Sequence, residues 1–84
     1  MGILYIKNKM HEIEHDSKTI KKSWYNSLTQ ELTIEFRSGS LYIYSGIDEN
    51  LWTEFITAIS AGKALNDLIK GKFNYRKVEE EDGN

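Results

Sequence analysis

No cysteine occurs among the 84 residues, which removes disulfides, thiolate zinc sites and thiol nucleophiles from the chemistry open to this chain. Long apolar runs are missing too. Near the start, Ile3-Leu4-Tyr5-Ile6 is cut short by Lys7 and Lys9, so neither a secretory leader nor a membrane span is expected, and the expected setting is the cytoplasm with no membrane partner. Charge of one sign is scarce: 11 basic residues face 13 acidic ones for a net charge of −2, whereas a dedicated nucleic-acid binder usually has a clearly basic body. The 6 glycines are scattered, so no loop is rich enough in glycine to cradle a phosphate, and no cofactor is expected.

What is present suits one small domain with a single core and no deep catalytic cavity. Hydrophobic residues make up 39% and aromatics 12% of the chain, enough to argue against global disorder. The charge is unevenly placed. Glu79, Glu80, Glu81 and Asp82 form an acidic tail, and without it the rest of the chain carries +2. Lys63, Lys70, Lys72, Arg76 and Lys77 gather in the last third. Such a cluster can meet phosphates through counterion release, or be a solvated face that keeps the domain soluble.

The central signal is Glu31–Ile47. Leu32, Ile34 and Phe36 alternate with polar residues, Ser38-Gly39 supplies a turn, and Leu41–Tyr44 reads as a second strand. Upstream, Ser17–Ser27 predicts a strand carrying Ile20, Trp24 and Tyr25, while Lys9–Asp16 reads as a polar connector and Gly2–Asn8 as an added edge strand that could pair two copies into a homodimer. Asp48 stands as N-cap of a helix, with Ile47 and Trp52 spaced for a hydrophobic staple. Leu51, Trp52, Phe55, Ile56 and Ile59 share one helical face, and Ser60-Ala61-Gly62 is expected to end that helix with Gly62 left-handed. A short helix over Ala64–Lys70 follows, Leu65, Leu68 and Ile69 inward, closed by Gly71; Phe73 and Tyr75 are extended. The predicted fold is α+β: a three-stranded antiparallel meander packed against one amphipathic helix and a short second helix.

At this point the chain resembles the KTSC domain, a short bacterial and phage module found alone and at the C-terminus of some lysyl-tRNA synthetases. The resemblance runs through Ser17 and Ile20, Tyr25-Asn26, Leu32–Phe36, Ser38-Gly39, Tyr42-Ile43-Tyr44, Ala58–Lys63, Asn66, Ile69, Gly71-Lys72-Phe73 and Tyr75. Ile47-Asp48 replaces the family's usual Val-Pro, and Ala64-Leu65 replaces an aromatic-rich pair. Residues 17–78 are thus the domain, with an N-terminal extension over 1–16 and the acidic tail over 79–84. The resemblance implies RNA binding through the synthetase association, and brings no catalytic residues.

Two hairpin registers are open. A two-residue loop at Ser38-Gly39 turns Tyr42 and Tyr44 to the open face as stacking platforms, while a three-residue loop ending in a bulge at Gly39 pairs Ile34 with Tyr42 and Leu32 with Tyr44. The bulged form is favoured because the family's middle position is commonly polar, hence outward; it leaves Ile43 outward. Asn66, a poor helix former, is expected to hydrogen-bond the hairpin end or the Gly71 turn. His11 and His15 are spaced for a metal pair on a helix, but two ligands make no site, so no metal and no catalysis are expected. Two functions follow. The first is a non-catalytic accessory of phage or mobile-element type that docks on a host protein, for example as inhibitor of a nucleic-acid-binding or defence enzyme, using Trp24, Ile43 and the acidic tail. The second is RNA or nucleotide binding through Lys63, Asn66, Lys70, Lys72, Arg76 and Lys77.

Overall fold

The computed structural model describes residues 10–78. Five antiparallel strands form one sheet in the order of the chain: β1 (Met10–Glu14), β2 (Ile20–Asn26), β3 (Glu31–Phe36), β4 (Leu41–Tyr44) and β5 (Tyr75–Val78). Between β4 and β5 the chain makes α1 (Glu49–Ile56) and α2 (Ala61–Ala64), which runs into a π-helical turn, Leu65–Ile69. The α+β class stands, but three strands is an undercount.

Both added strands were hidden by weak local patterns. β1 replaces the expected polar connector: Ile13 is its one half-buried residue, and it pairs with β2 along its whole length. An edge strand needs few apolar residues of its own when its neighbour supplies the hydrogen-bond ladder. β5 pairs Tyr75 with Tyr44 and Val78 with Leu41, and its four residues are all exposed. The expected Gly2–Asn8 strand and the homodimer built on it lie outside the described residues.

The hairpin takes the bulged form. Ile34 faces Tyr42 and Leu32 faces Tyr44, Gly39 has φ 101°, and the Gly39 N–H donates to the Phe36 carbonyl at 2.8 Å. A side chain at that φ would be strained, which is why glycine closes this loop. The β2–β3 loop is shaped differently: the Asn26 carboxamide oxygen accepts from Leu28 N–H at 2.9 Å and Thr29 N–H at 3.3 Å, an Asx turn.

The core lies between the sheet and the helices. Ile20, Tyr25, Leu32, Ile34, Ile47, Phe55 and Ile69 are fully buried, each worth roughly 1.5–3 kcal/mol when removed from water. The helix start behaves as its sequence predicts. Asp48 accepts from Leu51 N–H at 2.9 Å, Ile47 and Trp52 are both buried, and Trp52 stacks on Tyr25 at 5.1 Å between centroids. The Tyr25 hydroxyl donates to the Ile47 carbonyl, tying β2 to the helix entry.

The helix end does not follow the prediction. α1 stops at Ile56, the Thr57 hydroxyl donates back to the Thr53 carbonyl at 2.7 Å, and Ile59 is 105% exposed instead of inward. Ser60 starts the next helix, its hydroxyl accepting from Lys63 N–H at 3.2 Å. Gly62 therefore lies inside α2 with ordinary helical φ, not in a left-handed cap. A serine able to cap in the forward direction outcompeted the glycine as punctuation. Gly71, with φ 81°, ends the π-helical turn as predicted.

Candidate nucleic-acid interface

Strand alternation puts Tyr42 and Tyr44 of β4 and Tyr75 of β5 on the helix side of the sheet. Tyr25, Ile34 and Tyr44 are all buried in the core, while Tyr75 on β5 is 60% exposed, beside the point where Lys70 and Gly71 turn the chain back toward β5. A groove of about 660 Å3 opens there, lined by Thr19, Phe36, Ser38, Ser40, Tyr42, Tyr44, Lys70, Gly71 and Tyr75. The volume falls in the range of small-ligand sites.

The rings form a linked cluster. Tyr75 lies 5.5 Å from Tyr42 and 5.7 Å from Tyr44, both at 38°, and Phe36 meets Tyr42 edge-on at 5.5 Å. These spacings are those of mutually supporting aromatic pairs. Burial grades across the cluster: Tyr44 is 2% exposed and Tyr75 60%, so one ring is anchored and another offered. Burial first, then the neighbouring hydroxyls of Tyr42 and Tyr75, pushes the Tyr44 hydroxyl above the ordinary tyrosine value. It stays neutral, a donor. Among the described residues Lys70 is the one charged residue of the lining and no carboxylate joins it.

A second, more polar groove of about 720 Å3 shares Thr19 with the first and is lined by Asp16–Thr19, Ile59–Lys63, Asn66 and Asp67. Ser17 and Ser60 are occupied there: Ser60 caps α2, and Ser17 closes a turn before β2, accepting from the N–H groups of Thr19 and Ile20, both at 3.1 Å. Asn66 is exposed and lines this groove. Its expected hydrogen bond to the hairpin end or the Gly71 turn is not made; the Gly71 turn is closed instead by Lys72, whose backbone N–H donates to the Ile69 carbonyl at 3.0 Å.

The lysines and arginine of the last third do not share one surface. Lys63 pairs with Asp67 at 3.1 Å and Lys72 donates to the Asp67 carbonyl at 2.7 Å. Lys70 lines the tyrosine groove, and Lys77 sits opposite Tyr42 on β5. Arg76 pairs with Ile43, and the register carries that row on to Trp24, on the other side of the sheet. Glu79–Asp82 lie outside the described residues.

His15, part of the polar connector in sequence, is half-buried in the fold. It packs against Phe55 at 5.4 Å and its Nε2 lies 2.7 Å from the Ser23 hydroxyl. Burial pushes its pKa below the ordinary histidine value. Among the described residues no cluster of acids and histidines could hold a metal, and no helix is long and apolar enough to cross a membrane.

Comparison with known proteins agrees with this architecture. Residues 16–73 match the KTSC domain, and the chain belongs to that family. A KTSC domain protein from Yersinia pestis has a crystal structure that superposes with TM-score 0.77 at 34% identity, covering 83% of this chain and 99% of that one. The chain is 36% identical over 66 residues to a lysine–tRNA ligase of Nostoc punctiforme and 38% identical over 66 residues to one of Trichormus variabilis, in each case 79% of this chain. It spans 12% of the length of these ligases.

Proposed function

We propose that this is a non-catalytic domain that binds single-stranded RNA in the tyrosine groove, in the cytoplasm. The observation that carries the reading is the groove lining: aromatic rings graded from anchored to exposed, hydroxyls at Thr19, Ser38 and Ser40, and, among the described residues, one cation and no carboxylate. Bases stack on tyrosine faces at about 1–3 kcal/mol each, and a lysine at the rim neutralises backbone phosphate. Similarity to part of two lysine–tRNA ligases supports RNA as the polymer. Lys77, beside Tyr42, extends the positive rim.

The test is fluorescence anisotropy of a labelled single-stranded RNA with the native chain, Tyr75→Ala and Lys70→Glu. Tyr75 is largely exposed, so the fold should survive its loss while affinity falls about tenfold or more. Lys70→Glu should weaken binding and flatten its salt dependence. Binding that is absent at low salt, or indifferent to both changes, overturns the reading.

A second reading, docking on a protein partner as a phage-type or mobile-element accessory, inhibitors included, is favoured by a different observation. On the opposite side of the sheet Trp24 and Ile43 are only half-buried and belong to no core contact.

A further inference from the structure

The tyrosine groove opens into a neighbour. Thr19, exposed just before β2, lines both this groove and the more polar one beside it, so a strand laid in the first passes that residue into the second. The polar side chains of the tyrosine groove are hydroxyls and, among the described residues, one lysine. A hydroxyl rotates to donate or to accept, so this lining holds a nucleotide without telling one base from another.

Two residues of the second groove are not explained by the fold. Asn66 is one. It is exposed in the π-helical turn, where it is a poor helix former, and among the described residues its carboxamide has no partner. The side chains around it are engaged: Ser60 caps α2, Ser17 closes the turn before β2, and Lys63 pairs with Asp67 at 3.1 Å. The other charges of the described lining, Asp16 and Lys18, are of opposite sign. This groove is therefore neutral and suits a base better than a phosphate.

Gly62 is the other. It lies inside α2, where glycine costs stability relative to alanine, and the usual reasons for a glycine do not apply. Its φ is not left-handed, and a methyl added there would meet only the Thr19 side chain, at 3.7 Å from the hydroxyl, an ordinary contact. What the missing methyl leaves is room beside Thr19, at the passage between the grooves.

We infer that single-stranded RNA runs from the tyrosine groove past Thr19 and Gly62 into the second groove, where Asn66 reads one base. The inference rests on the tyrosine-groove reading and adds a sequence preference to it. A carboxamide holds a donor and an acceptor in one plane, which matches the N6–H donor and N7 acceptor of adenine in a bidentate pair. The tyrosines and Lys70 supply affinity, and Asn66 supplies the choice of base, adenine.

The test is fluorescence anisotropy of labelled oligouridine with the full chain, the RNA being plain or carrying one adenine at each position in turn. Adenine at one position should tighten binding about tenfold, and Asn66→Ala should bring that probe down to the level of plain oligouridine. Tyr75→Ala should weaken every probe alike. Gly62→Ala should raise the melting temperature and still reduce the adenine gain, which a purely structural glycine would not do. Oligouridine that binds through Tyr75 with no position favouring adenine overturns this inference and leaves the tyrosine groove standing. An adenine preference that survives Asn66→Ala also overturns it, and one untouched by Gly62→Ala overturns the passage. No binding of any probe at low salt overturns both readings.

Discussion

Leu41, Tyr42, Ile43 and Tyr44 are neighbours in one strand, yet they serve two surfaces of different chemistry. On the helix side, Tyr42 and Tyr44 join Tyr75 in a groove whose one charge is Lys70. On the other side, Leu41 and Ile43 join Trp24 and Val78 in a stripe bordered by charges of both signs, Glu12, Glu14 and Glu35 with Lys21, Lys22 and Arg76. A net charge of −2 therefore says little about either surface. The period-2 alternation of strands sorts the charges, and a chain that is slightly acidic overall can still offer a groove whose described lining holds a cation and no carboxylate.

The two tryptophans give the sharpest contrast in stability. Trp52→Ala removes the residue that staples α1 to Ile47 and stacks on Tyr25, and should cost about 3–5 kcal/mol in urea unfolding. Trp24→Ala removes cross-strand contacts on a face that no helix of the described residues covers, expected at about 0.2–1 kcal/mol. Comparable losses for the two would show that the outer face is covered and the account of the two sides is wrong.

Tyr75→Ala should separate binding from folding. Its ring is 60% exposed, so the melting temperature should barely move while RNA affinity falls by about 1–3 kcal/mol. A marked loss of stability with unchanged affinity would make the tyrosine cluster an extension of the core. Asp48→Ala comes next, at about 1 kcal/mol for loss of the N-cap to Leu51, with no effect on either surface.

The smallest expected effect is in pH. Burial between Phe55 and Ser23 holds the pKa of His15 below its unfolded value. The unfolded chain then binds the proton first as pH falls, so the contribution of His15 is complete above the unfolded pKa of about 6.5 and is lost as pH drops through the folded value. Thermal melts between neutral and mildly acidic pH should show this loss in the native chain and not in His15→Gln. Identical pH profiles would place the imidazole in water.

These residues also show what could be read from sequence. Asp48, Ile47 and Trp52 declared the helix start, because capping and stapling are local, and the Gly39 bulge declared the hairpin register. The fifth strand was not declared, since Tyr75–Val78 has no buried residue and becomes a strand only by pairing with β4. The groove was hidden for the same reason. The bulged register places Tyr42 and Tyr44 on the core side, but that the packing over Tyr44 leaves Tyr75 60% exposed beside it is a tertiary fact. His15 looked like part of a polar connector because its value comes from Ser23 and Phe55, far along the chain.

The central claim is that the tyrosine side, not the tryptophan side, meets RNA. Titrating the isotope-labelled chain with a short single-stranded RNA at low salt, while following aromatic ring resonances, tests it most directly. The account predicts saturable upfield movement at Tyr42 and Tyr75, reversed by added salt, with the Trp24 indole unmoved. Movement at Trp24 with the tyrosines silent would contradict it.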